Sequence, residues 1–361
     1  TCLLCAVFVL ALSAPQAAAK GFFSRIFGGG GGGGGEAPYV PPQPPPRTTP
    51  TTIRVPGDAK TIREALGKAT VAGDVIQLGA QTFFEDGLTI PPHIDIVGSG
   101  MDVSFIRSRS AQPPIILGGN NTLRNLGVVG ATGVPTLQVN SSVSGTIRLE
   151  RVVIRAGRSG SGVYFASGGG LVGHALFLNC LFIGSGGTAI YEANPGAFSG
   201  GANLQIVNST FAEWDQAVLL TSGQRNNILF KNNILHNNKN DLTGSVDGWN
   251  GTYTFNMTKS LQKQLTTTLN AAVKNFVGTA TFVNPGLDDY HLAAFSEGID
   301  KGDGGAGSEP QPNGGVINLG AFGGTPEATK TVTLANADQA VFRPVKYASS
   351  GQNTVELSIV N

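Results

Sequence analysis

The sequence predicts an all-β protein: a single right-handed parallel β-helix with three short strands per coil and an N-terminal capping helix. Three observations lead there. One short pattern recurs five times between Asn121 and Thr243, as TLRNLGV (122–128), IRLERVVI (147–154), ALFLNCLF (175–182), LQIVNSTF (204–211) and ILFKNNIL (228–235). Each copy alternates apolar and polar residues, slips by one position, and alternates again. A second apolar column recurs between the copies and in step with them.

Alternation marks a strand with one buried face. A slip of one residue would turn every side chain to the other face, so the chain must bend at the slip. The residues there are Asn125, Arg151, Asn179, Asn208 and Asn232, spaced 26, 28, 29 and 24 apart. Asparagine tolerates the left-handed backbone region that such a bend needs. A period in that range signals a solenoid. Coils would stack about 4.8 Å apart, and the asparagines are expected to form an amide ladder up the stack. The second column is TLQV (136–139), GVYF (162–165), AIYE (189–192), AVLL (217–220) and DLT (241–243).

The elements follow in chain order. Residues 1–19 are an apolar run closing on Ala17-Ala18-Ala19, which reads as a signal peptide clipped at its start, since neither Met nor a basic stretch precedes it. Cys5 lacks the small residue just before it that a lipoprotein site would have. Residues 20–50 read as a linker, a glycine tract followed by PPQPPP, too flexible and too extended to bury a core. The β-helix is expected over residues 51–329. Ile53–Val55 opens it as a strand. Ile62, Ala65, Leu66 and Ala69 then share one helical face, suited to cover the open end of the first coil. Asp74–Leu78, Leu88–Ile90 and Ile94–Val97 read as strands. Beyond Thr243 the repeat decays: residues 251–257 read as one more strand region, and a short helix is expected around Ala271–Phe276. Residues 330–361 alternate in TVTL and VELSIV, as further strands or the start of another module.

Composition narrows the function. The net charge of +1 supplies no field for nucleic acid. Charged residues are only 13%. Beyond the leader Cys180 stands alone, so no disulfide forms within the domain; it falls at a core position. No His or Cys cluster has metal-ligand spacing. His174 and His236 flank core strands and read as structural. Asp288, Asp289, Asp300 and Asp303 lie in a glycine-rich stretch; turn capping is the expected role, with calcium the one ion they would suit.

Two segments carry a resemblance. TIREALGKA (61–69) with GDVIQLGAQTFFEDGLTIPPHIDIVGSG (73–100) resembles the opening of pectin-lyase-like right-handed β-helix proteins, especially the pectin methylesterase branch. FVNPGLDDYHLAAFSEGIDKGD (282–303) with NGGVINLGAFGG (313–324) resembles the closing segment of secreted bacterial β-helix proteins. The resemblance implies a secreted or cell-envelope protein with a polysaccharide lying along the sheet of the second column. On that sheet Leu137, Val163, Ile190, Val218 and Leu242 are expected to point inward. Gln138, Tyr164, Tyr191, Leu219 and Thr243 are expected outward, alternating with Thr136, Gly162, Ala189, Ala217 and Asp241. Tyr164 and Tyr191, one coil apart, suit sugar stacking; the alternative is mutual packing beneath a glycine-rich loop such as Ser167–Gly173 or Pro195–Gly201. Gln138, Tyr164, Tyr191 and Glu192 are the candidate substrate-binding residues.

Catalysis by an esterase of this family would need paired outward carboxylates and an arginine; a lyase would need acidic oxygens for calcium and a base. Asp215, Arg225 and Asp241 are the candidates, with Glu192 converging on them across coils. The expected protein is a monomer with no membrane span in its mature chain, no nucleic-acid partner and no cofactor beyond calcium. Its ligand would be a polysaccharide, an acidic one on the family pattern. Three functions stay open: a polysaccharide binder, a lyase or esterase, and a structural or adhesive surface protein.

Overall fold

Strand pairing in the computed structural model is parallel from Thr52 to Val277. The structure describes residues 47–140, 145–167, 173–193, 203–221, 225–244, 249–260, 274–305, 307–332, 340–344 and 355–359. The coils present three faces. The first holds the strands Thr52–Val55, Val75–Leu78, Asp95–Val97, His174–Leu178, Asn203–Val207, Arg225–Lys231 and Trp249–Thr254. The second holds Thr82–Phe83, Phe105–Arg107, Leu181–Ile183, Thr210–Ala212, Ile234–His236, Met257–Lys259 and Phe276–Val277. Two long strands, Asn121–Val129 and Thr146–Arg155, run through the corner between them, so these two faces form one 16-stranded sheet. The third face is a separate seven-stranded sheet: Leu88–Ile90, Ile115–Leu117, Leu137–Val139, Ser161–Phe165, Thr188–Glu192, Gln216–Leu220 and Asn240–Gly244. Crossovers between parallel strands take the right-handed sense. This is the parallel β-helix that the repeats predict, with coils on both sides of the five that are legible.

The predicted bend is present. Asn125, Arg151, Asn179, Asn208 and Asn232 have φ of 53, 55, 53, 48 and 57°, and the column continues through Phe255 and Lys274 at 57 and 59°. The expected amide ladder is not built from these residues. Their side chains face outward, and Asn179 and Asn208 both donate to the Gly323 carbonyl, at 2.7 and 2.6 Å. The ladder stands one residue later, inside the coil. Asn275 Oδ1 accepts from Asn256 Nδ2 (2.9 Å), Asn256 Oδ1 from Asn233 Nδ2 (3.0 Å), and Asn233 Oδ1 from the Ser209 amide (2.8 Å). The physical reason is parity: after the bend the next side chain points inward, and a buried amide there must find partners within the stack.

The interior is a continuous apolar column, with Phe182 stacked on Phe211 at 4.6 Å and 3°. The helix Ile62–Lys68 caps the first coil and buries Ile62 and Ala65, with its C-cap Ala69 buried beside them. The Thr61 hydroxyl accepts from the Glu64 amide, and Glu85 accepts from the amides of Ile62 and Arg63 (2.7 and 3.0 Å), satisfying the free donors of the first turn. The coil expected at residues 251–257 is found. Of the helix expected around Ala271–Phe276, residues 271–273 lie outside the described residues and Phe276 is in a strand paired with Met257.

From Phe282 to Thr329 the chain lies against the outer side of the second face. Leu181, Ile183, Ile234 and Met257 point outward there and form a second apolar cluster with Phe282, Tyr290, Leu292, Leu319 and Ala321. Ala340–Pro344 and Val355–Ile359 pair as an antiparallel hairpin.

Candidate functional site

The outer side of the third face carries the predicted row. Register places Thr89, Ile116, Gln138, Tyr164, Tyr191, Leu219 and Thr243 one above another on successive coils. The inward partners Leu137, Val163, Ile190, Val218 and Leu242 are buried, as alternation requires. Tyr164 and Tyr191 are half-buried; their ring centroids lie 5.4 Å apart and the rings are tilted by 57°. The Gln138 amide donates to Asn140 Oδ1 at 3.0 Å. The loops proposed to cover the tyrosines lie largely outside the described residues.

The small residues expected outward are not there. Thr136, Gly162, Ala189, Ala217 and Asp241 are all buried. Each strand leaves its turn with this residue tucked inward at the corner, so two consecutive positions are buried before alternation begins. A Cβ on Gly162 would meet the Ala189 carbonyl oxygen at 2.4 Å. The outward residues beside the tyrosines are instead Ser161, Thr188, Gln216 and Asn240, a polar row in register. Thr243 donates its hydroxyl to Gln216 Oε1 at 2.7 Å, joining the two rows. The sequence signal for this second row was the position three residues before each outward residue of the first.

The expected catalytic set does not converge among the described residues. Asp241 is buried and receives the hydroxyls of Thr258 and Ser260, so it faces the interior and not the open sheet. Glu192 is also buried, in the inward column of Val139, Phe165 and Leu220; its Oε2 accepts the Thr221 amide at 3.2 Å. Its parity with Ile190 explains why it points in. Asp215 is exposed on the turn before the third face and accepts the Gly187 amide at 3.0 Å. Arg225 begins a strand of the first face, not the third, and its side chain lies outside the described residues.

The other titratable candidates have structural surroundings. Burial pushes the Cys180 thiol up to about 12, far from a nucleophile's range. His236 is held below the usual histidine value, chiefly by burial, with its ring edge against Phe282 at 5.0 Å. Asp288 ends the 3-10 turn Pro285–Leu287 in a left-handed conformation and pairs with Arg155. Asp289 accepts from His291 at 2.6 Å, Asp300 from the Thr331 hydroxyl at 2.8 Å, and Asp303 pairs with Lys231 at 2.5 Å. Among the described residues no group of three or more His, Cys, Asp or Glu side chains could hold a metal ion, and no helix is long and apolar enough to cross a membrane.

The face thus offers two aromatic rings with hydroxyl tips, flanked by amides and hydroxyls. Tyr164 and Tyr191 are the only ionisable side chains in its two rows. Such a surface stacks on apolar ring faces and hydrogen-bonds hydroxyl groups. It lies on a parallel β-helix protein. No family model matches the chain, and no curated protein matches it. Among solved structures, it is similar to a PL6 family polysaccharide lyase from Pseudopedobacter saltans at 10% identity and a TM-score of 0.19, over 63% of this chain and 91% of that one. At that identity and TM-score the likeness adds nothing to the strand pairing, on which the fold rests.

Proposed function

We propose that the protein binds a polysaccharide along the outer side of its third face, without a catalytic set there. The observation that carries this reading is the half-buried Tyr164–Tyr191 pair, one coil apart at 5.4 Å, beside a row of neutral polar side chains. Burial of Asp241 and Glu192 supports binding over cleavage, because a general acid or base must reach the substrate. A monomeric state and a secreted or cell-envelope location complete the proposal.

The test is a glycan array probed with the full chain, with and without calcium, beside the Tyr164→Ala/Tyr191→Ala double variant. Loss of two stacking contacts should weaken binding of the polysaccharide at least tenfold. Undiminished binding by the double variant, or no binding by the folded wild type, would overturn the proposal. Release of unsaturated or de-esterified products from the bound polymer would move the protein to the lyase or esterase reading.

A further inference from the structure

A groove of about 510 Å³ lies outside the third face, on the first, lined by His93, Asp95, Asn120, Thr122, Thr146 and Arg148, with Leu176 at one end and Ala72–Gly73 at the other. It runs along the stack. Register places Thr122 beside Arg148 and Arg148 beside Leu176 on successive coils, and Asp95 precedes Ile96, the partner of Leu123. His93, Asn120 and Thr146 form a second row at the corner where the chain enters this face, with His93 and Asn120 both left-handed at φ 64 and 50°.

The groove is preorganised. Asp95 Oδ1 accepts the Thr122 amide at 2.7 Å, and Asn120 Oδ1 accepts the Thr146 amide at 2.8 Å. Each side chain is thereby locked to the next coil through one oxygen. Asp95 Oδ2 and the hydroxyls of Thr122 and Thr146 have no protein hydrogen-bond partner among the described residues. Fixed donors and acceptors bind without the ordering cost that mobile ones incur.

Its charge is balanced. Glu150 Oε2 takes Arg148 at 3.0 Å and Arg124 at 3.5 Å, which leaves one positive charge in that trio, and Asp95 supplies one negative charge. A groove with no net field does not select an anion. Carboxylate, amide, guanidinium and hydroxyl groups in two parallel rows match vicinal hydroxyls. The open, elongated shape suits a chain more than a small enclosed molecule, and a sugar unit is about as long as one coil is high. We infer that this groove is a second glycan site, for an uncharged, hydroxyl-rich oligosaccharide lying along the solenoid axis. It does not depend on the third face binding anything.

The test is calorimetric titration of the full chain with maltohexaose, cellohexaose, xylohexaose and mannohexaose. Three proteins are compared: wild type, Thr122→Val/Thr146→Val, and Tyr164→Ala/Tyr191→Ala. Valine keeps the β-branched shape and removes only the hydroxyls, and thermal melts check that each variant folds. At least one hexasaccharide should bind the wild type and the tyrosine variant alike, and bind the threonine variant at least tenfold more weakly. No binding by any of the four, equal binding by the threonine variant, or loss confined to the tyrosine variant would overturn the inference. The last result would assign all binding to the third face.

Discussion

Asp74 is fully buried at the start of the second coil. It accepts both guanidinium nitrogens of Arg47 at 2.6 Å, and the amides of Thr51 and Val71 at 2.8 and 2.9 Å. The Arg47 hydrogen bonds hold its carboxyl well below the usual carboxylate range. A depressed folded-state pKa contributes stability that is complete above the unfolded value of about 3.9 and is lost as pH falls toward the folded one. Asp74→Ala should therefore cost about 2–3 kcal/mol at pH 7, and its gap from wild type should narrow below about pH 4. Urea unfolding at the two pH values checks this; a constant gap would refute the linkage. Residue by residue, legibility followed parity. Gln138, Tyr164 and Tyr191 fell on the correct side because each lies one step from an inward residue. Asp241 did not, because the corner buries two consecutive positions before alternation begins; Glu192 did not, because as the end of its strand it was read apart from the alternation that gives it the inward parity of Ile190.

The element that binds the later coils together is the buried amide ladder. Asn256 donates to the Phe230 carbonyl and to Asn275 Oδ1, and accepts from both the amide and the side chain of Asn233. Removing it leaves several buried groups without partners in a medium where none is replaced by water. Asn256→Ala should lower stability by about 3 kcal/mol, read as a shift of the urea midpoint with an unchanged slope. A loss below half that size would mean that the coils tolerate an incomplete ladder. The bend beside it was legible, since asparagine stands at four of the five bends of the recurring pattern. The ladder was not, because its first members, Leu126, Val152 and Cys180, are apolar and its polar members begin only at Ser209. Phe255 and Lys274 hid the last two bends for the complementary reason: tertiary pairing imposes a left-handed conformation that neither residue prefers.

At the scale of the whole molecule, the second face is apolar on both sides, and the chain must cover one of them itself. The segment Phe282–Thr329 does so in two ways. Its apolar side chains pack on Leu181, Ile234 and Met257, and its edges are held by the pairs Arg151–Glu327 at 2.5 Å, Lys231–Asp303 at 2.5 Å and Arg155–Asp288. The three pairs are partly exposed, and such pairs contribute about 1 kcal/mol or less each. Burial of a single large apolar side chain is worth about 1.5–3 kcal/mol. The apolar contacts therefore hold the segment. This cover was legible in the sequence only as a closing motif, since nothing in Phe282–Thr329 shows by periodicity which face it meets. Two outcomes follow. Raising NaCl to 1 M should leave the segment resistant to limited proteolysis, because salt screens the pairs but not the apolar contact. Ending the chain after Thr281 should expose the outward row of the second face, raise dye binding to apolar surface and drive self-association, read by size-exclusion chromatography. Release of the segment by salt alone, or a monomeric truncated chain that binds no dye, would show instead that the ion pairs carry the docking.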